Sequence, residues 1–335
     1  MAKTVEQIAN DLNLSVTTVR LVLSQKAEQY RISKATQERI QSYVETHGLV
    51  VNYAARSLKL NKTDTLALVV PRLSNLFFST LAEKLETCCQ KAGYQLIIAC
   101  SYSDPKHEKE VVRSLLERNV DGLFIVPSSL ETQLHHRKLA RKRPIIFLDR
   151  DFGEMDVPLV LSDNYSGSKT LVQSIKKAVN VEPLFFIAGD TQQPSIQSRL
   201  QGYLNEMPER QSWVLTARHN RKEDGQHLMH EFLKKNKQPP SAFITSSLPI
   251  LEGTLSALRQ VYGFIPQEIP IGTFDESDML GFLPNAVWSM GQNEDAWAQH
   301  AFHLMQNKLQ GDKSNVKITV PMTLIYRPLS VARDI

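Results

Sequence analysis

The sequence predicts an α/β protein with two parts: an all-α helix-turn-helix headpiece and a two-lobed core of parallel, doubly wound sheets. Three observations carry that expectation. Residues 4–24, TVEQIANDLNLSVTTVRLVLS, have the spacing of two short helices around a tight turn. From Thr65 onward, continuous apolar runs alternate with amphipathic segments, the pattern of strands covered by helices on both faces. At 335 residues the chain is also too long for one small domain and suggests two or three.

In the first stretch one apolar face runs through Val5, Ile8, Ala9 and Leu12, and a second through Val16, Val19, Val22 and Leu23. Asn13-Leu14-Ser15 forms the turn. A helix-turn-helix needs a small residue where the helices cross, a residue that tolerates positive φ four places on, and an apolar one six further; Ala9, Asn13 and Val19 meet these demands. Ser15 then caps helix two, at the end that would enter a DNA major groove. A helical hairpin in an unrelated fold has the same spacing, so the remaining chain must decide. Ser33 or Thr36 caps a third helix with Ile40, Tyr43 and Val44 on its apolar stripe, and Gly48 ends it. Asn52 caps the short segment NYAARSLKL, which is too short to be a stable helix alone in water and needs DNA or a partner chain to order it. The polar stretch Asn61-Lys62-Thr63-Asp64 reads as the boundary.

Charge follows this division. Residues 1–60 carry eight Lys/Arg against five Asp/Glu, which is +3 of the chain's net +4. One small basic domain beside a nearly neutral remainder is the distribution expected of a polyanion binder, although a solvated surface gives a similar count. Hydrophobic content of 42% and charged content of 22% are ordinary for a globular protein. No apolar run reaches the roughly 18 residues of a membrane helix, and the N-terminus lacks an export signal, so a cytoplasmic protein is expected. Cys88, Cys89 and Cys100 have no metal-ligand spacing and suggest reduced thiols.

The core strands are expected at Leu66–Val70, Gln95–Ala99, Leu123–Val126, Ile145–Leu148, Leu159–Leu161, Leu184–Ala188, Ala242–Thr245 and Ile271–Phe274. So many units exceed one compact sheet and favour two similar lobes with a cleft between them. In such sheets ligands lie outside the carboxyl ends of the strands. There the chain places Asn75, Ser101, Asp104, Asp149, Arg150, Asp163 and Asp275. Carboxylates accept from vicinal hydroxyls and arginine donates in a fork, which suits a polyhydroxylated ligand. Any one of these aspartates could instead cap a helix or pair with a surface arginine. Phe77 and Phe78 either stack on a sugar face or fill the core. The histidines are scattered, and HExxH, a glycine-rich phosphate loop and a nucleophile elbow are all missing, so no enzyme chemistry, metal or cofactor is expected.

Several segments together resemble the LacI/GalR transcription repressors over essentially the whole chain. They are IANDLNLSVTTVRLVLS, the hinge NYAARSL, VDGLFIV at 120–126, FLDR at 147–150, IGTFDE at 271–276 and YRPLS at 326–330. GYQLIIACS, FLDR and AEQYRIS look most like the fructose and sucrose branch. The resemblance implies a headpiece with hinge at 1–61, the hinge helix spanning about 52–60, and a periplasmic-binding-protein-like effector and dimerisation core at 62–335. Lobe 1 would comprise about 62–161 and 293–322, and lobe 2 about 162–292 and 323–335.

It also implies a homodimer on pseudo-palindromic double-stranded operator DNA, regulating sugar-utilisation genes. Val16, Thr17 and Thr18 match base-reading positions, and Arg20 and Lys34 are suited to phosphates. Leu58 matches a wedging leucine in the minor groove, and Ala55 a small residue at that close approach. The chain departs from the family at Asn13, which replaces a turn glycine, at Leu21, at Val51, which replaces a hinge proline, and at Gln197. The effector implied is a small sugar or sugar phosphate. Arg150 with Arg199 would suit fructose 1-phosphate, whereas Asp149, Asp163, Asp275 and Gln292 would hold neutral fructose or sucrose. A sugar-binding protein of transport would use the same core, but it should carry an export signal and no headpiece.

Overall fold

The computed structural model describes residues 2–49, 62–153, 156–180, 182–208 and 211–329. The chain forms two compact units, Met1–Thr63 and Asp64–Ile335.

The first unit has helices α1 (Val5–Asp11), α2 (Val16–Leu23) and α3 (Lys34–His47). Each starts on a hydroxyl cap. Thr4 forms a capping box with Gln7, Ser15 accepts from the Thr18 N–H, and Ser33 from the Thr36 N–H. Asn13 takes φ 53°, as the turn requires, and Gly48 takes φ 75° beyond α3. Ile8, Ala9, Val19, Val22, Ala27 and Ile40 form the core. The proposed hinge, with Asn52, Ala55 and Leu58, lies outside the described residues.

The second unit is built on two six-stranded sheets. The first takes strands β1 (Thr65–Val70), β2 (Gln95–Cys100), β3 (Gly122–Ile125), β4 (Ile145–Leu148), β5 (Leu159–Ser162) and β11 (Lys317–Val320), in the order β11-β5-β4-β3-β1-β2. The second takes β6 (Leu184–Asp190), β7 (Val214–Ala217), β8 (Ala242–Thr245), β9 (Ile271–Phe274), β10 (Val287–Gly291) and β12 (Thr323–Arg327), in the order β12-β10-β9-β8-β6-β7. Helices α4 (Leu76–Lys91), α5 (Pro105–Glu117), α6 (Leu130–Leu139) and α11 (Glu294–Leu309) belong to the first lobe. Helices α7 (Asn164–Ala178), α8 (Pro194–Glu206), α9 (Lys222–Asn236) and α10 (Leu248–Tyr262) belong to the second.

The first sheet is wholly parallel. In the second, β12 at the edge runs antiparallel to β10 and the other pairs are parallel. Residues on both faces of β1, β3 and β4 are buried, which is why these strands read as unbroken apolar runs. The chain passes between lobes three times, after β5, after β10 and between β11 and β12. Cys88, Cys89 and Cys100 are free thiols. No helix among the described residues is long and apolar enough to cross a membrane.

In the second lobe α9 and α10 meet backbone to backbone. A Cβ on Gly253 would stand 1.9 Å from the Lys222 carbonyl oxygen, and one on Gly225 would stand 2.2 Å from that of Ile250. Neither obstacle is a side chain that can swing away. Gly253→Ala is therefore expected to destabilise the protein by at least about 2 kcal/mol, read as an earlier midpoint in urea unfolding.

Candidate functional site

At the start of α2 the Ser15 hydroxyl lies 3.0 Å from the Thr18 N–H and 2.8 Å from the Thr18 hydroxyl. Ser15, Thr17 and Arg20 are exposed, Thr18 is half-buried, and Val16 packs partly into the headpiece core. The positions matched to base reading thus divide: Thr17 is open, while Val16 also serves packing. Arg20 Nη2 donates to Glu6 Oε1 at 2.7 Å, so a phosphate would compete with a carboxylate for it. Lys34 is exposed at the first position of α3.

The effector candidates centre on two aspartates in matching places. Asp149 follows β4 with φ 64°, and Asp275 follows β9 with φ 72°. Both are buried, at 7% and 4% exposure. The Asp149 N–H bonds the Val160 carbonyl on β5, and the Asp275 N–H bonds the Met290 carbonyl on β10. Each lobe therefore turns its chain sharply at the strand end and anchors the turn on the neighbouring strand. A non-glycine residue in the left-handed region costs about 1–2 kcal/mol and persists where the surroundings enforce it, often at binding sites.

Two arginines lie beside them. Arg199 is committed to protein: Nε donates to Asn164 Oδ1 at 2.7 Å, Nη1 to the Ser246 carbonyl at 2.7 Å, and Nη2 stands 3.9 Å from Asp275 Oδ1. Its guanidinium also lies 4.4 Å from the centre of the Phe274 ring. Arg150 is less occupied. Nη1 donates to the Pro127 carbonyl at 3.1 Å, and Nε, 3.8 Å from Asp149 Oδ2, is buried without a hydrogen-bond acceptor among the described residues. Gln292 joins the lobes: its Nε2 donates to Asp275 Oδ1 and its Oε1 accepts from the Ser162 hydroxyl, both at 2.6 Å. Trp297 Nε1 donates in turn to Ser162 Oγ at 3.0 Å.

The two aspartates, the two arginines and Gln292 line a small inner chamber of ≈ 40 Å³ that adjoins an outer cleft of ≈ 750 Å³. Asn75, Phe77, Asp149, Arg150, Arg199, Asp275 and Gln292, all anticipated from the sequence, line the inner chamber. Asn75 also caps α4 by accepting from the Phe77 N–H. Phe77 packs edge-on against Trp297 at 5.4 Å, so it belongs to the core as well as the chamber wall.

Two expectations need correction. Ser101 is fully buried and turns its hydroxyl back to the Val70 carbonyl, and Asp163 spends its carboxylate capping α7 through the Ser166 N–H; neither lines the chamber or the cleft. Gln193, Ser195, Asn220 and Ser247 line the chamber and were not anticipated. Gln193 and Ser195 follow β6 and were within reach of the strand-end rule. Asn220 follows β7, a half-buried edge strand with little apolar signal. Among the described residues no group of three His, Cys, Asp or Glu side chains could hold a metal ion.

Burial dominates the electrostatics. It pushes the Asp149 carboxyl above its ordinary 3.8, against the opposing pull of Arg150 and Arg199, with Asp275 pushing further in the same direction. It also pulls the Arg150 guanidinium down, offset first by Asp149. The folded state thus holds the Asp149 proton more tightly than the unfolded chain does, so stability falls as pH rises above about 4 and through the raised folded value. Asp149→Asn, which cannot ionise and accepts the left-handed backbone, is expected to lose that decline. Thermal unfolding of both proteins across pH 4–8 checks this.

Comparison with known proteins places this architecture. Residues 66–313 match the periplasmic binding protein domain family. The sucrose operon repressor of Klebsiella pneumoniae is 27% identical over 97% of this chain and 98% of its own length. The fructose operon regulatory protein of Vibrio cholerae is 28% identical over 91% and 93%. Among solved structures, the Cra transcriptional dual regulator of Pseudomonas putida, in complex with fructose 1-phosphate, covers 80% of this chain and 100% of its own with a TM-score of 0.73 at 24% identity. The lac repressor dimer bound to operator covers 99% and 100% with a TM-score of 0.85 at 17% identity. With its two-sheet core, the chain belongs to the periplasmic binding protein domain family, and with its N-terminal helix-turn-helix it is similar along nearly its whole length to repressors of sucrose and fructose operons.

Proposed function

We propose that the chain is a sugar-responsive, sequence-specific DNA-binding repressor of sugar-utilisation genes. The observation that carries this reading is the buried quartet Asp149, Arg150, Arg199 and Asp275 between the lobes, in a chain that begins with a capped helix-turn-helix. Alternating carboxylates and guanidiniums can accept from and donate to successive hydroxyls of one ring. The names of the sucrose and fructose operon relatives support fructose, fructose 1-phosphate or sucrose as the ligand, and a sucrose operon repressor is the favoured assignment.

On this reading residues 1–61 bind operator DNA and residues 62–335 bind effector. Ser15, Thr17, Thr18 and Arg20 meet the major groove, with Val16 contributing from its half-buried position. Lys34 meets phosphate, and Asn52, Ala55 and Leu58 act in the hinge. Asn75, Phe77, Asp149, Arg150, Arg199, Asp275 and Gln292 surround the sugar. Closing the lobes on effector changes the geometry offered to operator, and a coupling of about 1–3 kcal/mol alters affinity about 5- to 150-fold. The molecule acts by binding and not by turnover.

A pseudo-palindromic operator calls for two copies of the chain. Phe264, Met279 and Phe282 of the second lobe are large and exposed, Phe282 at 79%, which supports a contact with a second copy. Met279→Asp with Phe282→Asp is expected to convert dimer to monomer in sedimentation velocity and to weaken operator binding.

Fluorescence titration of operator DNA, with and without fructose, fructose 1-phosphate and sucrose, tests the function. At least one sugar is expected to shift the operator Kd, and Asp275→Asn to abolish that shift while operator binding persists. A variant lacking residues 1–61 is expected to keep sugar binding and lose DNA. Indifference of operator binding to all three sugars would overturn the effector assignment.

A further inference from the structure

Lobe 1 buries a carboxylate that lines neither the chamber nor the cleft. Glu108, in the first turn of α5, and His136, on α6, are fully buried, and Ser128 nearly so. Glu108 Oε2 accepts from the Ser128 N–H at 2.7 Å and from the Ser128 hydroxyl, while Oε1 lies 2.9 Å from His136 Nε2. Donation from His136 Nε2 to Oε1 makes Glu108 an ionised carboxylate that accepts from three groups, whereas the opposite direction would leave an N–H at His136 Nδ1 without an acceptor among the described residues, the costlier orphan. His136 Nε2 then carries the ring proton and leaves Nδ1, which has no partner among the described residues, as a bare lone pair. A protonated ring would leave a charged N–H without an acceptor, the costlier orphan. The pair therefore carries one net negative charge.

That charge stands close behind Arg150. The peptide unit whose N–H belongs to Ser128 has the Pro127 carbonyl at its other end, and this oxygen accepts from Arg150 Nη1 at 3.1 Å. One peptide unit thus joins carboxylate to guanidinium, its dipole aligned with both, at a charge separation of roughly 8 Å. Asp149 comes first among the charges that sustain Arg150 against burial, and Glu108 second. In the chamber wall the charges of Asp149, Asp275, Arg150 and Arg199 balance, so Glu108 leaves the region net negative.

We infer that Glu108 is a specificity-determining residue, which acts through the Pro127–Ser128 peptide on Arg150 and holds down the chamber's affinity for phosphorylated sugars relative to neutral ones. The inference rests on the chamber being the sugar site. A ligand phosphate beside Arg150 would lie roughly 11 Å from Glu108, where one buried charge changes affinity about tenfold at an effective dielectric near 20. A neutral sugar feels only the unchanged hydrogen bonds.

Calorimetric titration of the full-length protein with fructose and with fructose 1-phosphate tests this. Glu108→Gln is expected to shift the ratio of the two affinities about tenfold towards the phosphorylated sugar. Ser128→Ala, which removes a contact to the carboxylate but no charge, is expected to leave the ratio unchanged. Should Glu108→Gln lose its cooperative unfolding, the double variant Glu108→Gln with His136→Gln removes both partners together and is expected to give the same shift. An unchanged ratio in the folded charge-removing variant overturns the role of Glu108 while the sugar site stands, and so does an equal shift in Ser128→Ala. Wild-type protein that binds neither sugar overturns the site and this inference together.

Discussion

The core is organised by the burial of four ionised groups where its two lobes meet. Removing Asp149, Arg150, Arg199 and Asp275 from water carries a desolvation cost that ion pairs only partly offset, and the opposite displacements of Asp149 and Arg150 are its signature. The groups stay because rigid backbone holds them. Each aspartate sits on a left-handed turn locked to the next strand, and Arg199 is held by three separate partners. Groups fixed in this way are already organised for a ligand, which recovers part of the cost by supplying the hydrogen bonds that water supplied before.

On the proposed reading, the same arrangement gives binding its route outward. Trp297, Ser162, Gln292 and Asp275 form an unbroken chain of hydrogen bonds from a helix of the first lobe, through the crossover after β10, to the strand end of the second. A ligand on Asp275 therefore acts on an atom already tied to both halves of the core. Such contiguous polar networks rigidify when every member is satisfied and offer alternative arrangements when one partner is exchanged.

Much of this was legible in the sequence, for physical reasons that also mark where reading fails. Strands buried on both faces, such as Leu66–Val70 and Ile145–Leu148, stand out because every position is apolar. Val214–Ala217, Lys317–Val320 and Thr323–Arg327 do not, being edge or near-edge strands with exposed positions, and Val287–Gly291 hides behind Ser289, whose hydroxyl serves Glu276. The strand-end rule found Asp149 and Asp275 but also Ser101 and Asp163, because it identifies an end of the sheet and not the direction of a side chain. Ser101 turns back to its own sheet and Asp163 answers the amides of a helix. The left-handed backbone at Asp149 and Asp275 has no sequence signal of its own, since aspartate is common in every loop. In the headpiece, by contrast, Ala9, Asn13 and Val19 were readable because local geometry alone demands them.

The three crossings between lobes have a mechanical meaning. Each is short: one residue separates β5 from α7, two separate β10 from α11, and two separate β11 from β12. Three short tethers side by side cannot stretch, so one lobe cannot slide along the other and is left mainly with rotation about the line they define. The core is then a door on three pins. On the proposed reading, such a door reports an angle and not a list of contacts, so chemically different ligands that bring it to the same angle deliver the same message.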